Sequence, residues 1–147
     1  GGAAANGLPA STLNMYSNYS ALPAPSLVPG STMPISIGIG TCGGNYSNWT
    51  NVFIDYNRNG SFESIERAYT SSSSTSGAHT ESGNISIPAN AAPGGTLMRV
   101  MVVEFGSATD AATGTYTWGE TEDYAVNVTV PTPCSGRSVP ERRVLAV

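Results

Sequence analysis

Met33-Pro34-Ile35-Ser36-Ile37-Gly38-Ile39 decides the fold class. Its isoleucines fall on every second residue. An extended chain therefore puts Ile35, Ile37 and Ile39 on one face and small or polar residues on the other. A helix would scatter the same residues around its circumference. Outward from this stretch the pattern recurs. Val52, Ile54 and Tyr56 share a face in Asn51 to Tyr56, and Ile85 and Ile87 do so in Gly83 to Pro88. Leu97 to Phe105 is apolar on both faces, which suits a central strand covered on two sides. Tyr124, Val126, Val128 and Val130 alternate with Ala125, Asn127 and Thr129. Nowhere do apolar residues recur at helical spacing over three turns, so no substantial helix is expected. The breaks carry turn chemistry. Ser71 to Gly77 reads as a solvated hairpin tip or long loop, Ala89 to Gly95 as a turn, and Ser107 to Gly114 as another loop. Many short strands with regular breaks predict an all-β fold, an antiparallel β-sandwich of jelly-roll or immunoglobulin-like type.

Composition narrows the class of function. The chain of 147 residues suits one domain. Charged residues make up only 11% of it, against roughly 25% in an ordinary globular chain. There is no lysine, and all six basic residues are arginine. Hydroxyls and amides keep such a surface in water, a pattern usual for extracellular bacterial β-proteins. A net charge of −4 argues against nucleic acid, which needs clustered basic residues. The cluster Arg137, Arg142 and Arg143 lies in the tail. No apolar run is long enough to span a membrane as a helix. The opening GGAAANG has no charged n-region, so the chain reads as a mature, processed or excised one. Cys42 and Cys134 are expected to form a disulfide in a secreted chain. Closing so long a loop contributes up to roughly 4–5 kcal/mol in the chain-entropy picture. The alternative is two unrelated buried thiols.

The candidate site follows the second strand. Asp55-Tyr56-Asn57-Arg58-Asn59-Gly60-Ser61-Phe62-Glu63-Ser64-Ile65-Glu66 places Asp55, Asn57 and Asn59 at positions 1, 3 and 5, Gly60 at 6 and Glu66 at 12. This is the spacing of a calcium loop. Ca²⁺ takes six to eight hard oxygens, and alternate residues of a tightly turning chain point theirs inward. The Ser61 carbonyl would supply the position-7 ligand, and Glu66 would close the site. With two neutral asparagines among the ligands the affinity should be modest, about 10⁻⁴ M or somewhat tighter. The other reading is an Asx-rich turn with no metal. Downstream, Trp118-Gly119-Glu120-Thr121-Glu122-Asp123-Tyr124 holds three carboxylates within four residues. In an extended chain Glu120 and Glu122 face one way and Asp123 the other. Glu120 or Asp123 could complete the calcium site from a neighbouring strand. A catalytic carboxylate pair and a solvated start of a strand remain open as well.

These motifs resemble a known family. Val52 to Gly60 with Phe62 and Glu66, then Ile87 to Gly94, Met98-Arg99-Val100, and Gly119 to Tyr124, are similar in order and spacing to the GEVED domain, over residues 14–130. Thr121 stands where the family usually has an apolar residue, and Asn59 where Asp is commoner. The resemblance implies a β-sandwich module of secreted or surface-displayed bacterial proteins, often adhesins or proteases, in which it is accessory rather than catalytic.

Other features admit a functional and a plain reading. Tyr116 and Trp118 could form a sugar-stacking platform, with Tyr46 and Trp49 on another loop, or could simply pack. His79, the single histidine, reads as a solvated loop residue, and no nucleophile–base pair is evident. Arg99 within an apolar strand needs a partner, for which Glu104 and Asp123 are candidates. Asn18, Asn45, Asn48, Asn84 and Asn127 begin Asn-X-Ser/Thr sequons. Residues 1–13 read as a flexible or assembly-contacting leader, and 131–147 as a Pro-rich linker and tail. The expected function is a non-enzymatic, calcium-stabilised structural or adhesive module outside the cell. Its expected partners are neighbouring domains or copies of itself, through strand addition at a sheet edge, as in a homopolymer. A carbohydrate-binding accessory module of a secreted hydrolase or protease, meeting surface glycans, is the alternative.

Overall fold

The computed structural model describes residues 16–41, 43–71, 75–104, 112–113 and 116–130. The leader, the tail, Cys42 and Cys134 lie outside the described residues, and with them the expected disulfide. Nine strands run through the described residues. They are β1 (Tyr16–Tyr19), β2 (Ser26–Leu27), β3 (Thr32–Ile39), β4 (Ser47–Ile54), β5 (Arg67–Thr70), β6 (Thr75–Ser76), β7 (His79–Ser86), β8 (Gly94–Glu104) and β9 (Gly119–Val128). One 3₁₀ turn, Ser64–Glu66, precedes β5. No helix among the described residues is long and apolar enough to cross a membrane.

The strands form two sheets, so the fold is an all-β sandwich. The larger sheet runs β1-β9-β8-β4-β5, with β2 also on β9 and β6 also on β4. The smaller is the antiparallel pair β3-β7. The body is antiparallel as expected, but its edge is not: β1 and β2 both pair with β9 in parallel. Parallel neighbours cannot be joined by a tight hairpin. Here the partners come from opposite ends of the described chain, so no such turn is required.

Sequence period explains the layering. β3 alternates exposed and covered residues along its whole length. Ile54, Tyr56, Ile85, Ile87, Leu27, Val126 and Val128 form the main core between the sheets, with Met33 and Ile35 packed on it. Residues of β4 from Thr50 onward are buried on both faces. Their second face meets a smaller cluster in which Phe53, Met101 and Ala112 pack with Phe62 and Tyr116. Even-numbered residues of β4 thus face the small sheet, and odd-numbered ones face this outer cluster. The sheets are also tied by Tyr69, whose ring lies against the bare backbone of Gly83 and would collide with any Cβ there. Its hydroxyl donates to Glu81 at 2.9 Å.

Two expectations about loops change. The Ser/Thr run does not begin in solvent: Ser71 is buried, its Oγ accepts the Thr50 N–H at 3.1 Å, and Thr75–Ser76 form β6. Ser71 substitutes its side chain for a ladder partner of β4. His79 is the first residue of β7, with Nε2 3.1 Å from Glu81 and Nδ1 2.7 Å from the Gly77 carbonyl.

Candidate functional site

The loop from Asp55 to Glu66 hangs from the end of β4. Asp55 donates its N–H to the Leu97 carbonyl at 3.1 Å and accepts the Thr96 hydroxyl on its own carbonyl at 2.7 Å. The chain then turns back through two left-handed residues, Arg58 at φ 59° and Gly60 at φ 82°. Glycine adopts that region freely. Arg58 is held there by its guanidinium, which donates to the carbonyls of Pro93 at 2.7 Å and Gly95 at 3.1 Å.

Within this frame the side-chain oxygens collect backbone donors. Asp55, 5% exposed, accepts Asn59 N–H on Oδ1 at 3.1 Å and Gly60 N–H on Oδ2 at 3.0 Å. Asn57 Oδ1 accepts the Asn59 N–H and Asn59 Oδ1 the Ser61 N–H. Glu66, 3% exposed, accepts Asn57 N–H on Oε1 and Glu63 N–H on Oε2. Glu63 was not singled out by the sequence reading. It stands at position 9, and both asparagine side-chain amides donate to it, at 3.0 and 3.2 Å. An acid at position 9 of the spacing was the signal available for it. Burial, with the Glu66 charge adding to it, pushes the Tyr56 hydroxyl up to about 12.

The donor set fits a hard divalent cation. Asp55 and Glu66 bring two buried carboxylates into one loop, and each of their oxygens has accepted a single N–H, leaving a lone pair on every one. Asn57, Asn59 and the Ser61 carbonyl would supply neutral oxygens of the kind calcium accepts. When bound, the ion would neutralise the carboxylates and cross-link the two ends of the loop.

Glu120 and Asp123 do not complete this loop. Among the described residues no three His, Cys, Asp or Glu side chains converge as metal ligands. Asp123 is engaged elsewhere: Arg99 grips it with two bonds of 2.7 Å, and the Tyr16 hydroxyl donates to it at 2.9 Å. Arg99 also donates to the Ala112 carbonyl and lies 4.7 Å from the centre of the Phe62 ring, a cation–π contact. One arginine thus joins β8, β9, the loop and the outer cluster. The bonds to Asp123 raise the Arg99 guanidinium further, so the pair stays ionised. Glu120 lies on the opposite face and accepts Ser17 Oγ at 3.3 Å. Its neighbour Glu122 accepts the Tyr124 hydroxyl at 2.6 Å. Burial raises the Glu122 carboxyl, and the Glu120 charge adds to the rise.

The aromatic pair does not make a flat platform. Tyr116 packs into the outer cluster and shares a 2.6 Å hydrogen bond with Thr121 Oγ1, whereas Trp118 is 62% exposed. Both precede β9, so strand alternation does not align them. Trp49 lies in β4 rather than on a loop. The sequon residue Asn48 is buried and closed to glycan transfer in the folded chain, whereas Asn84 and Asn127 are exposed.

A family model for the GEVED domain matches residues 49–127, from Trp49 in β4 to Asn127 in β9. No curated protein and no solved structure matches the chain.

Proposed function

The chain belongs to the GEVED domain family, and from that premise we propose that it is a non-catalytic extracellular module, structural or adhesive, stabilised by calcium in the loop from Asp55 to Glu66. The carrying observation is the burial of Asp55 and Glu66 within one loop, their oxygens positioned by backbone N–H groups. Two desolvated carboxylates in a tight turn repel each other unless a cation sits between them. The ion braces the junction between β4 and β5 in a sandwich with few charged residues. The reading as a module of a bacterial surface protein, or of a filament built from copies of itself, is supported by the lysine-free, amide-rich composition. The non-catalytic reading is supported by His79, whose two ring nitrogens are both engaged in structural contacts.

Thermal unfolding with excess calcium and with a chelator tests the metal. An ion bound only to the native state adds about 2.7 kcal/mol at a hundredfold excess over its dissociation constant. The expected result is a higher Tm in calcium, lost in Asp55→Asn/Glu66→Gln. Equal Tm values in both buffers would sink the claim.

The exposure of Trp118 favours a second reading, a carbohydrate-binding accessory module of a secreted hydrolase or protease. A glycan array decides it: binding that Trp118→Ala abolishes supports this reading, and an array with no signal removes it.

A further inference from the structure

The inner face of the larger sheet is apolar at one end and polar at the other. Toward the calcium-type loop it carries Ile54 and Tyr56, packed in the main core. Toward the start of β4 the same face carries Asn48 and Thr50. Both are buried, at 1% and 0% exposure. Asn48 Oδ1 and Thr50 Oγ1 have no hydrogen-bond partner, although Asn48 Nδ2 donates to the Tyr46 carbonyl. Buried polar atoms are ordinarily satisfied, because leaving one bare costs about 1–3 kcal/mol. What is missing at both atoms can be supplied by a donor or a cation.

Strand register says what stands beside them. Asn48 is paired directly with Glu104, and Thr50 with Val102. Val102 is paired in turn with Glu120 on β9. Directly opposed side chains have Cβ atoms about 4.5–5.5 Å apart, and diagonal ones reach each other across about 7–8 Å. Glu104 is therefore flanked by Asn48 directly, and by Thr50 and Glu120 on its diagonals. Its carboxylate has no ion pair or hydrogen bond among the described residues. Glu122 is the next residue along β9 on this face.

Nothing basic among the described residues is placed to answer it. Arg58 is bound to the 93–95 turn and Arg99 to Asp123 on the outer face. Arg67 stands at the register of Phe53, also outward. His79 is paired with Glu81.

We propose that this corner of the inner face is a second divalent-cation site, with calcium as the fitting ion and Asn48 Oδ1, Thr50 Oγ1 and the carboxylates of Glu104 and Glu120 as its ligands. All four groups offer hard oxygen, the ligand class calcium selects. Two of the four are neutral and two charged, so the site does not depend on three convergent acids. It lies about 20 Å along β4 from Asp55 at 3.3 Å per residue, and none of its ligands belongs to the loop. The ion would fasten β4, β8 and β9 together where apolar packing has run out.

Calorimetric titration of the chelator-treated chain with calcium chloride tests it. The wild type should bind two equivalents, Asp55→Asn/Glu66→Gln one, and Glu104→Gln/Glu120→Gln one. A single equivalent lost only in Glu104→Gln/Glu120→Gln would support this site while removing the loop site. A Glu104→Gln/Glu120→Gln chain that titrates as the wild type overturns the proposal, as does a wild type that takes up no calcium. Asn48→Asp provides an independent check that leaves both glutamates intact. In the loop-variant background it should tighten binding several-fold and lower the Tm in chelator. Unchanged or weaker binding by that variant also overturns the proposal.

Discussion

Arg99 and Asp123 show how one pair can organise a region larger than itself. The carboxylate is buried and takes both arginine bonds and the Tyr16 hydroxyl. Removing one partner strands a buried charge, which costs about 3 kcal/mol or more. Asp123→Asn should lower stability by about that amount in urea unfolding, because the amide cannot satisfy the guanidinium. Tyr56 gives a second residue-level expectation, in pH. Its hydroxyl is raised from 10.0 to about 12 by burial and then by Glu66. A raised value means that the folded state keeps the proton longer than the unfolded one. The stabilisation is therefore complete below pH 10 and is lost as pH rises from about 10 to about 12. Tyr56→Phe should flatten that part of the alkaline unfolding profile. The sequence offered Glu104 and Asp123 as partners for Arg99, because a charged residue in an apolar strand requires one, and the fold selects Asp123. The sequence could not exclude Asp123 from the calcium-type loop, since choosing between partners requires knowing which face each side chain takes. Glu63 and Arg58 were missed for a similar reason. Their roles depend on which amides and carbonyls the fold brings to them.

Among the elements, β3 and β8 were legible over most of their length, and β4, β7 and β9 through their second halves, where the apolar alternation lies. Strands β1, β2, β5 and β6 were not. They are two to four residues long, and Tyr16-Ser17-Asn18-Tyr19 carries no apolar alternation to read. Such segments take strand geometry from a neighbour's free hydrogen bonds rather than from their own pattern. The strongest element-level expectation concerns β4, covered on both sides. Phe53 is fully buried there, and Phe53→Ala should cost about 3–5 kcal/mol. Ile65 in the 3₁₀ turn is 86% exposed, and Ile65→Ala should leave the urea midpoint essentially unchanged. Equal effects at the two positions would mean that the outer cluster does not pack as described. Gly119, at the start of β9, is a further constraint. Its φ is 145°, a conformation that side-chain-bearing residues rarely adopt, and a Cβ there would meet the Val102 carbonyl oxygen, so the motif needs glycine both for its backbone conformation and for clearance.

The whole molecule combines a sandwich readable from period with an edge that period did not announce. Its two candidate ion sites stand near opposite ends of β4, and each lies where carboxylates outnumber the described basic groups. Removal of calcium should therefore loosen both ends of the central strand while the apolar middle stays packed. The parallel pairing of β1 with β9 has a mechanical meaning. Tension entering the chain ahead of β1 and leaving it after β9 pulls these neighbours in opposite directions along their lengths. Their hydrogen bonds are then loaded together in shear, rather than opened one at a time like a zip. A module pulled in this way resists extension at the very edge where the first and last of its described strands meet.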